Sequence, residues 1–169
     1  YFGLFDNPEY PNSEPEEGYG PSGLAEFFGD HMVVNGKIWP KMDVEPRNYR
    51  LRLLNGCDSR FLVIRFRKAA SNTSTDLTGA GAPIPFTVIG SDQGLASSPT
   101  EVDTLVVETG SRYDIIFDFK KVSNGERVIM ENIGGDTPFG FSYGDDLGDE
   151  DVFPDRQTDR IMAFDVDLP

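Results

Sequence analysis

The chain has 169 residues, a formal charge of −14 from 29 Asp+Glu against 15 Lys+Arg, and a single Cys and a single His. That length makes one domain of ordinary size, able to bury roughly 70% of the surface its unfolded form exposes, while one Cys and one His exclude an internal disulfide framework, a zinc finger and a CxxC redox pair. So acidic a surface repels phosphate backbones and anionic lipid, which argues against nucleic-acid binding and membrane attachment, and no apolar run approaches the roughly 20 residues that span a bilayer.

The first residues, Tyr1-Phe2-Gly3-Leu4-Phe5-Asp6, lack the basic region of a signal peptide and an initiating Met, so the chain is expected to be a piece of something longer or a matured product. Up to Gly23 the composition is dense in Pro, Gly, Asn and Glu with isolated aromatics, which predicts an extended arm or linker over 1–23 and a folded domain over 24–169. Beyond Leu24 the pattern becomes one of short strands. "HMVVN" leads into Asn35-Gly36, the strongest short hairpin signal because a type I′ turn needs positive φ at both central residues. A second short strand follows, and after Pro46 comes "NYRLRLL", with Tyr49, Leu51 and Leu53 on one face and Arg50 and Arg52 on the other.

"FLVIRFR", "PFTVIG", "DTLVVETG", "RYDIIFDF", "RVIMEN" and "RIMAFDV" continue the series, with Tyr113, Ile115, Phe117 and Phe119 alternating against Asp114, Ile116 and Asp118. No segment sustains a helical period. Eight or more short strands without helices predict an all-β antiparallel sandwich or Greek-key barrel. Two long loops interrupt it: the small, polar, Gly-rich Lys68 to Pro83, expected to be a mobile hairpin extension or surface loop, and the acidic, aromatic Gly134 to Asp159.

Few residue groups offer chemistry. His31 begins the first predicted strand and Cys57 lies in the "NGCDSR" turn, but two ligands make a weak metal site and no third group orients them as a nucleophilic pair. Asp145, Asp146, Asp149, Glu150 and Asp151 are oxygen donors that calcium accepts, without EF-hand spacing, and a solvated acidic loop is the plainer reading. Asn72-Thr73-Ser74 fits the N-glycosylation acceptor pattern and makes Asn72 a candidate on a secretory route.

Several segments in fixed order carry a family resemblance: Phe28-Gly29-Asp30, Val34-Asn35-Gly36-Lys37, Trp39-Pro40, Val44-Glu45-Pro46-Arg47, Tyr49-Arg50-Leu51-Arg52, Asn55-Gly56, Ser59-Arg60, Ile89-Gly90-Ser91-Asp92-Gln93-Gly94-Leu95 and Arg112 to Phe119. The chain resembles the middle cupredoxin-like domain of three-domain multicopper oxidases, on the branch with the bacterial spore-coat laccase and bilirubin oxidase. The Lys68 to Pro83 insertion departs from the shorter turn expected in bacterial members. The resemblance implies copper in the parent protein, held by flanking cupredoxin domains through His-x-His pairs and a Cys with two His. This segment has no His-x-His or His-Cys-His, so it is expected to hold no cofactor and to be inactive alone. It also implies an aromatic phenolic or tetrapyrrole substrate, a secreted or cell-surface location, and a cleft wall built here from Glu26, Phe28, Ser59, Gly134 and Gly135. Phe28 offers a ring face and Glu26 a proton or hydrogen-bond acceptor, whereas Phe27 reads as core or interdomain packing. The alternative is a stand-alone, non-catalytic cupredoxin-like binding or structural module, acidic and calcium-binding.

Overall fold

The computed structural model describes residues 27–135 and 157–167. The predicted arm over 1–23, Glu26 and the acidic residues Asp145 to Asp151 lie outside the described residues. Among the described residues the regular structure is strand: β1 (Val33–Val34), β2 (Lys37–Ile38), β3 (Lys41–Val44), β4 (Asn48–Leu54), β5 (Leu62–Lys68), β6 (Phe86–Ser91), β7 (Gly94–Val102), β8 (Leu105–Val107), β9 (Arg112–Asp118), β10 (Arg127–Asn132) and β11 (Arg160–Val166), with a short 3-10 turn at Phe119–Lys121. A five-stranded sheet in the order β3-β11-β10-β5-β8 faces a four-stranded sheet in the order β4-β9-β6-β7. The chain changes sheet at most connections, so sequence neighbours are seldom sheet neighbours, as a Greek-key winding requires.

The aromatic residues at alternate strand positions meet between the sheets. Phe66 on β5 is fully buried and its ring lies 4.5 Å from that of Phe117 on β9 and 5.1 Å from that of Phe86 on β6. Phe119 and Phe164 close the core from the other end, with ring centroids 5.2 Å apart. On β4 the predicted two faces are realised, Tyr49, Leu51 and Leu53 turning inward and Arg50 and Arg52 outward.

The Asn35-Gly36 turn has φ of 50° and 81°, the two positive values a type I′ hairpin demands. Beyond it, three expectations need correction. The second strand is broken: Ile38 ends β2, Trp39 takes φ 39°, and β3 then leaves the hairpin to pair with β11. That pairing is parallel, in a sheet otherwise antiparallel, because β3 and β11 are far apart in sequence and no tight turn dictates their direction. His31 does not begin a strand; it sits in the bend before Val33, its Nδ1 bonded to the Asp30 carboxylate and its ring 5.0 Å from that of Trp39.

The Lys68 to Pro83 segment is a surface loop, but a fastened one. Arg67 donates to the carbonyls of Ala80 and Gly81, Arg127 to that of Ser74, and Arg160 to that of Thr75. Thus Ile129 and Glu131, which alternation places on the outer side of β10, are nonetheless buried. On the same side Arg127 grips Asp165 through two hydrogen bonds of 2.6 and 3.0 Å, and Lys41 adds a third at 2.8 Å. Arg127, then Lys41, hold the Asp165 carboxyl below its usual range, against the opposing effect of burial. A lowered folded-state pKa contributes stability above the unfolded carboxylate value of about 4 and loses it as pH falls through the folded value. Asp165→Asn should therefore be less stable than the parent chain at neutral pH, with the gap closing below about pH 4. Urea titrations at neutral and acid pH that found a constant gap would contradict this.

Candidate functional site

At one end of the sandwich two buried asparagines organise the loops. Asn55, just past β4, is 1% exposed; its Nδ2 donates to the carbonyls of Arg60 and Val107, both at 2.9 Å, and its Oδ1 accepts from the Cys57 N–H. The 55–60 loop is thereby wrapped around one side-chain amide, which carries Ser59 and Arg60 to the sandwich end. Asn132, the last residue of β10 and fully buried, does the same for the opposite loops. Its Oδ1 accepts from Val63 N and Gly134 N, each at 3.0 Å, and its Nδ2 donates to the carbonyls of Gly134 and Thr158.

These two anchors bring together residues that are remote in sequence. Ser59 Oγ accepts the Phe27 N–H at 3.0 Å, tying the start of the described chain to the loop. Arg60, a residue only 3% exposed, holds its guanidinium 5.7 Å from the Phe28 ring centroid. One residue on, the Phe61 carbonyl faces Gly134, where an added Cβ would stand 2.8 Å from that oxygen. Gly134 is thus required by close approach, and Gly135 beside it is buried. Of the predicted wall, Phe28, Ser59, Gly134 and Gly135 fall in this one region. Phe27, expected in packing, is 56% exposed and so forms no part of this chain's core.

Sequence reading did not single out Arg60, Asn55 or Asn132 as site-building. Each carries a polar group in a turn-like context, and only burial reveals that it is a structural anchor. Cys57 is nearby, and burial pushes its thiol up, with a smaller opposite pull from Arg60, so it stays protonated and is a poor nucleophile. A half-buried aromatic ring backed by a guanidinium, a hydroxyl and closely packed backbone suits the binding of a flat molecule. The Ser59 hydroxyl donates to the adjacent Asp58 carboxylate in a long, exposed contact of 3.3 Å.

No protein-family model matches the chain. The bilirubin oxidase of Albifimbria verrucaria is 34% identical to it over 141 residues, 83% of this chain and 22% of that protein. A laccase of Bacillus stratosphericus is 33% identical over 164 residues, 96% of this chain and 27% of that protein. Among solved structures, the McoA multicopper oxidase of the hyperthermophile Aquifex aeolicus superposes with a TM-score of 0.65 at 29% identity, over 88% of this chain and 27% of that one. The chain belongs to the multicopper oxidase family.

It spans about a quarter of the length of the multicopper oxidases it matches, and its all-β sandwich is their cupredoxin-like fold. Whether its own residues suit copper is a matter of donors. A mononuclear copper of the blue type takes a thiolate and two imidazoles. The chain has one thiol, desolvated, and one imidazole, already engaged with Asp30 and Trp39. Among the described residues no three His, Cys, Asp or Glu side chains gather as a metal site. The donor set of this chain does not fit that centre.

Proposed function

We propose that this chain is the middle, non-copper domain of a three-domain, laccase-like multicopper oxidase, where it packs between two copper-binding domains and forms one wall of the reducing-substrate cleft. In the whole protein, copper held by the flanking domains supplies electron transfer from a phenolic, aromatic or tetrapyrrole reductant to dioxygen, which becomes water. This chain's residues act before that step. Phe28 presents its ring to the flat substrate, the Arg60 cation behind it polarises that face, and Ser59 and Gly134 set how closely the substrate approaches. Glu26 accepts a hydrogen bond or proton from a phenolic hydroxyl.

The observation that carries the reading is the meeting of Phe28, Ser59 and Gly134 at one end of the sandwich through the Arg60-Phe61 segment. In the full-length oxidase, Phe28→Ala should raise KM for an aromatic reductant about three- to tenfold, the worth of one aromatic contact, while the blue copper absorbance stays unchanged. An unaltered KM would remove Phe28 from the cleft. The isolated 169-residue chain, given copper, should oxidise no phenolic dye; turnover there would overturn the assignment. The gene-encoded protein should carry His-x-His before this stretch and His-Cys-His after it.

A further inference from the structure

We propose that a second groove, beside Trp39 on the outer side of the five-stranded sheet, binds a small aromatic carboxylate of a single ring. The groove has a volume of about 290 Å³, at the lower end of small-molecule sites, which limits its occupant to about one ring. Trp39, Pro40 and Met162 make its apolar surface with the almost buried Ile129, and Lys41, Arg127 and Arg160 supply charge, Arg160 being already paired with Asp159, while no carboxylate lines it among the described residues.

Backbone conformation marks the place independently. Among the described residues three non-glycines have positive φ, and Asn35 is explained by its hairpin turn. The other two, Trp39 at 39° and Gln157 at 61°, both line this groove and are joined by a 3.1 Å hydrogen bond from the indole Nε1 to the Gln157 carbonyl. A bulky side chain in the left-handed region is unfavourable, and Gly or Asn would serve the turn better. Such strain gathers at ligand sites, where the surrounding structure holds it in place. The chain's one tryptophan is held there between the His31 ring and the Gln157 carbonyl.

The cations define the ligand's charge. Arg127 directs two N–H groups to Asp165 and one to the Ser74 carbonyl, leaving two of a guanidinium's five. Lys41 directs two N–H groups to Asp43 and Asp165, leaving one of three. Both bind the same Asp165 oxygen, so they lie within two hydrogen-bond lengths of each other and can share a second carboxylate. A bare anion would waste the apolar floor and a neutral ring the cations; an aromatic carboxylate uses both.

Trp39 is its own reporter, since it is the only tryptophan. Titrating the full chain with benzoate should change its fluorescence saturably, with a Kd of about 1 mM, as expected for so small a ligand. Benzamide, with the same ring and no charge, should bind at least about tenfold more weakly, and Lys41→Met should weaken benzoate by about tenfold. A non-saturable response, or equal binding of benzoate and benzamide, would overturn the proposal. Because Lys41→Met alters an edge strand, amide chemical shifts of the unaltered chain give a second test. Benzoate should perturb the amides of Trp39, Lys41, Ser74, Thr75 and Ile129; shifts confined to the Phe28 and Gly134 region would assign its binding to the cleft wall instead and refute this site.

Discussion

Replacing Asn132 with leucine is expected to lower the free energy of unfolding by about 3–5 kcal/mol, although leucine has nearly the same shape. The loss is not a cavity. The Asn132 amide satisfies two backbone donors, on Val63 and Gly134, and two carbonyls, on Gly134 and Thr158. All lie away from water around a fully buried side chain, so its removal takes that partner from each of them, at a desolvation cost of about 1–3 kcal/mol before relaxation for each group left without another. Relaxation is restricted because an ordinary side chain cannot fit at Gly134, whose missing Cβ already leaves only contact distance to the Phe61 carbonyl. Urea unfolding would measure the loss. Hydrogen exchange would localise it, with the Val63 and Gly134 amides opening early while those of β9 stay protected. A loss below about 1 kcal/mol would mean that water replaces the amide without penalty.

Phe66→Ala should cost about 3–5 kcal/mol for a different reason. Phe66 is the ring that both sheets share: it projects from the five-stranded sheet and touches Phe86 and Phe117 of the four-stranded one, with Phe164 at 6.1 Å on its own side. Truncation removes the transfer energy of the ring and leaves a void that two hydrogen-bonded sheets cannot close. Calorimetry should show a fall in Tm of about 10 °C for a chain of this length, whereas Phe66→Leu, which keeps most of the volume, should cost under about 2 kcal/mol. Equal losses for the two variants would place the ring outside the weight-bearing centre of the core.

The strands that sequence alone locates best are those with one dry and one wet face. β4 and β9 show that alternation, broken only by Leu54 and Ile116 on their polar sides, and pair with each other residue by residue from Asn48 opposite Asp118 to Leu54 opposite Arg112. β7 is not legible in the sequence because Gly94 to Glu101 is exposed on both faces of an edge strand and carries Ser97, Ser98 and Pro99, so no period of two is written there. In the Arg112-Tyr113-Asp114 segment, Arg112 ties the strand end to a loop through Asp92 in the β6–β7 turn, whereas Asp114 pairs with Arg50 on the neighbouring strand.

Certain properties belong to the sequence by itself. One Cys and one His limit the sulfur and imidazole donors wherever the chain folds, and Asn35-Gly36 specifies its turn because the conformation is decided within two residues. Alternating apolar residues commit segments to strands for the same local reason. The tertiary structure alone decided which of those strands are neighbours. It set β3 parallel to β11, laid the Lys68 to Pro83 loop across Ile129 and Glu131, and joined Phe27 to Ser59 across 32 residues. Such contacts depend on the order of strands in two packed sheets and on buried amides such as Asn55 and Asn132, whose partners are chosen by desolvation in the assembled core and by nothing adjacent in the chain.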